Sequence, residues 1–260
     1  CSIPERAELL RQTLKSLAPQ VDAFHVYLDR YDTIPDFVRM CHPQVKVVLS
    51  RDVPGLGDTS KFLPFSSPSE ECYYLTADDN ILYPPDYVAS MIRRIEQYGR
   101  QVVIGVHGVL VPDQPEGHSS DYRKVLSLKN GLERDALVNN LGTGTVGFYS
   151  GLLQGLDLSH FHKPGMTDFF LSVYCKDRLI PMVAIARPEN WLQEIALPAK
   201  SSHREFHQSH TEQAMLIREN RPWGYEAIQR AVEGACAREK DAKIEQHLRA
   251  LMPDLHACLR

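Results

Sequence analysis

Nowhere do apolar residues run unbroken for the roughly 18–20 positions a membrane-spanning helix needs, so no spanning segment is expected. Basic charge is not in excess either: 29 Lys and Arg stand against 33 Asp and Glu, a net charge of −4, and the 11 histidines form no basic stripe. Nucleic-acid binders normally carry a cationic footprint, so that class of partner is not expected. The cysteines at positions 1, 41, 72, 175, 236 and 258 lie far apart and include no C-x-x-C pair. In a chain of this size they read as reduced thiols of a cytoplasmic protein rather than a disulfide framework. Internal repeats and low-complexity tracts are missing too, which excludes a solenoid.

What is present is ordinary globular composition: 260 residues, 43% hydrophobic and 24% charged. That suits one large α/β domain, with or without a small appendage. The chain begins at Cys1, and its first residues read as the end of a strand, so residues upstream are expected. Pro4 and Glu5 open a helix whose Leu10, Leu14 and Leu17 share a face. Apolar runs at 23–28 and 45–49 read as strands, the first closing at Asp29, and a glycine-rich bend follows at 55–58. A third strand at 72–76 runs into Ala77-Asp78-Asp79-Asn80.

Pro85 starts an amphipathic helix with Val88, Met91, Ile92 and Ile95 at helical spacing. One strand is expected over 102–110, a mobile polar loop over 112–122, and a glycine-rich passage over 138–149 ending in a short strand. A helix over 166–177 and a strand over 181–186 follow; from 188 to 210 periodicity fails. Two surface helices, 211–220 and 225–251, complete the pattern. Alternating strands and helices, with strands apolar on both faces, predict a mostly parallel sheet flanked by helices.

Two adjacent acids and a carboxamide closing an apolar strand form the strongest chemical signal. Ligand crevices of open parallel sheets lie beyond the carboxyl ends of the strands. Carboxylates there suit a divalent cation bridging diphosphate oxygens, because Mg²⁺ and Mn²⁺ prefer oxygen ligands and few protein contacts. A strand-ending turn also favours Asp and Asn, but no hairpin pattern surrounds this one.

The stretch from Tyr73 to Val88, with Ala77-Asp78-Asp79-Asn80-Ile81-Leu82-Tyr83-Pro84-Pro85 at its heart, resembles the D-x-D segment of the bacterial family 2 glycosyltransferases. The resemblance spans about residues 1–192 and implies a GT-A-like nucleotide-binding domain, with 193–260 as a flexible segment and C-terminal helices packed on it. It implies that Asp78 faces ribose or base, and that Asn80 takes the metal position, where the family carries an acid; Asp79 is the alternative metal ligand. Pro4 and Arg6 resemble the residues bordering the nucleotide in the family's first loop, and Asp29 the acid that holds the base. Gly57-Asp58-Thr59-Ser60-Lys61 matches the bend after which Asp58 and Lys61 contact base and diphosphate. By residue chemistry alone, Asp29 also serves as a strand cap and Lys61 as a solvated charge.

Leu141-Gly142-Thr143-Gly144-Thr145-Val146-Gly147 matches G-x-G-x-x-G in form. It is no dinucleotide fingerprint, since it neither follows the first strand nor opens a helix. The resemblance makes it an acceptor-side loop, where Gly142, Thr143 and Gly144 let backbone approach the sugar. Trp191 is a candidate for stacking on a sugar face, and His210, in the run 203, 207, 210, a candidate to complete a metal site; core packing and chance spacing are the plain alternatives.

Asp168, in the first turn of its helix, either simply favours the helix dipole or, as the resemblance implies, is the base that deprotonates an acceptor hydroxyl. The expected function is thus an inverting, Mn²⁺- or Mg²⁺-assisted transfer from a nucleotide sugar, UDP-linked by preference. The acceptor is a carbohydrate or lipid-linked molecule, in assembly of a surface polysaccharide or glycoconjugate. Two other readings stay open. A sugar-phosphate nucleotidyltransferase needs a Gly-rich basic loop after the first strand, where this chain has Cys1-Ser2-Ile3-Pro4; a non-catalytic nucleotide- or glycan-binding relative is kept open by Asn80.

Overall fold

The computed structural model describes residues 1–66, 71–111, 123–196 and 214–252. The expected loop at 112–122 and the histidines 203, 207 and 210 lie outside the described residues.

A 3-10 turn at Pro4–Arg6 leads into helix α1, Ala7–Leu17. Proline suits this entry because its missing N–H would have no helical partner there. Strands β1 (Phe24–Leu28) and β2 (Val45–Leu49) pair in parallel, with the short helix α2 (Asp36–Arg39) between them. Ser2 adds a parallel bridge to Leu28. Leu10 and Leu14 of α1 pack with Val26, Leu28, Val38 and Leu49 into a small core of their own. The adjoining flank of α1 meets the rest of the molecule. Thr13 Oγ1 donates to the Ile81 carbonyl at 2.9 Å, and Gln20 bonds both Pro84 O and Val88 N.

The larger core surrounds a five-stranded sheet, ordered β3 (Tyr73–Leu75), β10 (Gly147–Tyr149), β5 (Val103–Gly105), β11 (Met182–Ala184) and β8 (Ala136–Val138). Helices α3 (Tyr87–Gln97) and α4 (Thr167–Asp177) supply Val88, Met91, Ile95, Leu171 and Tyr174 to it. Smaller ladders join β6 (Gly108–Leu110) to β7 (Lys124–Leu126) and β9 (Asn140–Leu141), and β4 (Ile81–Leu82) to β12 (Gln193–Glu194).

The chain is therefore mixed α/β, but the expectation of a mostly parallel sheet does not hold. Of the eight ladders among the described residues, β1–β2 and β5–β11 are parallel and the rest antiparallel. The strands most visible in the sequence do share a direction: β3 and β5 both run antiparallel to β10, and β11 runs with β5. Only β10, wedged between β3 and β5, and the edge strand β8 reverse it. Two further corrections have local causes. The apolar run 102–110 is two strands in different sheets, because the chain turns at Val106-His107. The run 225–251 is two helices, Tyr225–Arg238 and Ala242–Arg249, because Glu239 is extended and Asp241 caps the second through its side chain.

Candidate functional site

Asp78 and Asp79 follow β3 and lie where the sequence places them, at its carboxyl end. Each meets a cation from a different element. The Lys61 ammonium, from the 3-10 helix Gly57–Phe62, bonds the Asp78 carboxylate. Arg6 reaches Asp79 Oδ1 at 3.3 Å. Asp79 is 5% exposed, and its Oδ2 is buried without a hydrogen-bond partner. Buried polar atoms are ordinarily bonded, so this oxygen is an exception.

Electrostatics keeps the Asp78–Lys61 pair charged. Burial alone would raise the Asp78 carboxyl, yet nearby positive charge, led by Lys61, outweighs it and holds it below its ordinary value. Burial alone would likewise lower Lys61, but Asp78, Asp168 and Asp58 reverse the sign and raise it. The lysine itself is held by its own carbonyl, which accepts from Tyr74 Oη at 2.6 Å.

The glycine loop sits directly over this pair. A Cβ on Gly144 would overlap the Asp78 carboxylate, with Cγ at 2.6 Å, so Gly144 is demanded by the acid beneath it. A Cβ on Gly142 would press on the His107 ring at 3.2 Å. Tyr83 clamps the two segments: its hydroxyl donates to Gly144 O at 2.6 Å and accepts from Asp78 N at 3.0 Å. Burial raises its pKa well above the ordinary value, so it stays a neutral donor.

Asp168, at the start of α4, faces the same loop. Its Oδ1 accepts from Thr143 N at 2.8 Å and Thr143 Oγ1 at 2.5 Å. Thr143 Oγ1 also lies 3.4 Å from Lys61 Nζ. Burial raises the Asp168 carboxyl above its ordinary value although Lys61 and the Thr143 bonds pull it down. A carboxyl with a raised pKa is a better proton acceptor than a solvated one.

Six of the sequence candidates thus converge: Asp78, Lys61, Thr143 and Asp168 form one chain of contacts, and the Arg6–Asp79 pair stands next to it, with Gly142 and Gly144 shaping its roof. The others stand at its edge. Asp29 follows β1, its backbone N–H bonded to Ser2 O at 2.8 Å, and Pro4 opens the turn that carries Arg6. Asp58 gives both carboxylate oxygens to the entry of α4, at 2.5 Å to Gly165 N and 2.7 Å to Thr167 Oγ1. Trp191 donates to Asp86 at 3.3 Å and leans on the Tyr87 ring, with centroids 5.6 Å apart. The Asn80 backbone carbonyl accepts from Ile195 N at 2.7 Å. His210 lies outside the described residues.

Two residues escaped the sequence reading. Tyr83 lies inside the motif stretch but shows its clamp only once the glycine loop is in place. His107, at the turn between β5 and β6, sits near Asp168 and has its pKa lowered by burial, which keeps the imidazole neutral near pH 7. No periodicity or spacing marks it.

Among the described residues no group of three or more His, Cys, Asp and Glu gathers as a metal cage. Mg²⁺ and Mn²⁺ do not require one, since one or two carboxylates and substrate phosphates commonly suffice. The hard oxygen donors here, with the orphaned Asp79 Oδ2 beside Asn80, fit a cation of that kind. No helix among the described residues is long and apolar enough to cross a membrane. No protein-family model matches the chain, and no curated protein matches it.

Proposed function

We propose that this chain is a GT-A-like glycosyltransferase that moves a sugar from a nucleotide donor, UDP-linked by preference, to a hydroxyl of a carbohydrate or lipid-linked acceptor on the cytoplasmic side. The observation carrying this reading is the contact chain from Asp78 through Lys61 and Thr143 to Asp168, which joins the acid read as a donor contact to the acid read as the base.

Asp78 receives the ribose or base, with Asp29 and Pro4 at the rim and Asp58 fixing the turn that carries Lys61. Asp79 and Asn80 would hold a divalent cation, which when bound neutralises charge on the diphosphate as the sugar departs. The acceptor hydroxyl lies against Gly142, Thr143 and Gly144, with Trp191 as a sugar-stacking face. Asp168 takes the hydroxyl proton as the oxygen attacks the anomeric carbon opposite the leaving group, which inverts that centre. The raised Asp168 pKa supports its role as the base.

Incubation with a panel of nucleotide sugars, with and without Mn²⁺, tests the reading through nucleotide release and sugar incorporation. Diphosphate release from a nucleoside triphosphate and a sugar phosphate would assign a nucleotidyltransferase instead. Binding without turnover would assign a nucleotide- or glycan-binding relative, the reading that the amide at Asn80 favours.

A further inference from the structure

The base and the donor acid are linked through a single buried cation. The Lys61 side chain is 9% exposed, whereas that of Asp78 is 41% exposed. The amine is therefore fixed from inside, and the carboxylate it holds is the one an incoming ligand reaches. On the other side the amine lies 3.4 Å from Thr143 Oγ1, whose hydroxyl and amide both bond Asp168 Oδ1.

We propose that Lys61 is a positioning residue that couples the two halves of the site: when a nucleotide engages Asp78, the ammonium turns to the Thr143–Asp168 pair and holds the base ionised. The proposal rests on the reading of Asp78 as a donor contact and Asp168 as the base. The charged and titratable groups facing Asp168 are Lys61 from the Gly57–Phe62 turn, Asp78 from the end of β3, and His107 from the β5–β6 turn; Asp58 acts on Lys61 from the same turn. Lys61 draws the Asp168 carboxyl down and Asp78 pushes it up. A ligand that occupies Asp78 releases the ammonium to Asp168, and that attraction favours the carboxylate.

The test is a carbon-13 NMR titration of the Asp168 carboxyl in the full chain, assigned by its loss in Asp168→Asn, with and without UDP and Mg²⁺. In the unsubstituted protein UDP lowers the Asp168 midpoint. In Lys61→Met the midpoint rises and UDP no longer moves it, while Lys61→Arg restores the response. The acidic limb of the transfer–pH profile moves to higher pH in Lys61→Met, with kcat falling more than KM rises. Should Lys61→Met fail to fold, Thr143→Val carries the test, since it removes the hydroxyl link and keeps the cation; its midpoint should rise. An Asp168 midpoint indifferent to UDP, or unchanged in Lys61→Met or Thr143→Val, overturns the coupling. Midpoints that move as stated without turnover of any nucleotide sugar would sink the transferase reading and leave the coupling standing.

Discussion

Asp168 sits in a compromise between stability and reactivity, and two substitutions separate them. Asp168→Ala should weaken transfer by about 10²–10⁴-fold, the usual range for a general base, while nucleotide binding measured by calorimetry persists. Transfer at the unsubstituted rate would remove Asp168 from the mechanism. Asp168→Asn keeps a carbonyl to accept both Thr143 bonds but removes the charge. A carboxyl whose folded pKa is raised ionises more readily in the unfolded chain, so it opposes folding once pH exceeds its unfolded value. The Asn variant should therefore melt higher than the unsubstituted protein at neutral pH. The gain should shrink as pH falls toward the ordinary aspartate range, about 4, where both states are protonated. A melting series showing no neutral-pH gain would refute the burial that raises this carboxyl. At this scale the sequence was most legible where chemistry was concentrated: adjacent Asp78 and Asp79 closing an apolar run stand out in one dimension. Tyr83 and His107 do not, because their roles arise from loops about 60 and 35 positions away in the chain that no local pattern connects to them.

At the scale of elements, the packed helices and strands followed from periodicity, whereas the short antiparallel pieces did not. Helices α1 and α3 bury regularly spaced apolar residues, and β2 falls on the run Val45–Leu49. Strands of two or three residues, such as β4, β9 and β12, have no period to read, and their partners lie far off in sequence. The turn before α4 shows how such long-range pairing governs a site. Asp58 joins the Gly57–Phe62 turn to Gly165 and Thr167, and Thr59 adds a 3.1 Å bond to Thr167. The donor-side lysine and the acceptor-side base are thereby mounted on elements tied to one another. Asp58→Ala should lower unfolding stability by about 1–3 kcal/mol, the cost of leaving such donors without their acceptor, as read from urea denaturation. Because Lys61 and Asp168 both ride on these elements, transfer should weaken as well. A variant with full stability and selectively lost nucleotide affinity would instead make Asp58 a direct donor contact.

For the whole molecule, the two cores matter more than the sheet's mixed direction. The small core around β1 and β2 holds Leu10, Leu14, Val26, Leu28, Val38 and Leu49, while the five-stranded sheet belongs to the much larger one. Helix α1 joins them, with Leu10 and Leu14 in the first and Leu17 in the second, reinforced by the Thr13 and Gln20 bonds to the segment 81–88. Local opening favours regions with few buried apolar contacts, so amides of β1 and β2 should exchange with deuterium faster than those of β5 and β11 in the free protein. The proposed donor contacts span the seam: Asp29 follows a strand of the small core, and Asp78 and Asp79 follow a strand of the large one. A nucleotide touching both stabilises only the closed arrangement, by an amount set by its concentration relative to Kd. Saturating UDP should therefore slow exchange across Phe24–Leu28 and Val45–Leu49 and leave β5 and β11 nearly unchanged. Protection confined to the loops at 57–62 and 142–145, with the small core exchanging as before, would show that the nucleotide does not reach Asp29 and that the donor site lies wholly within the larger core.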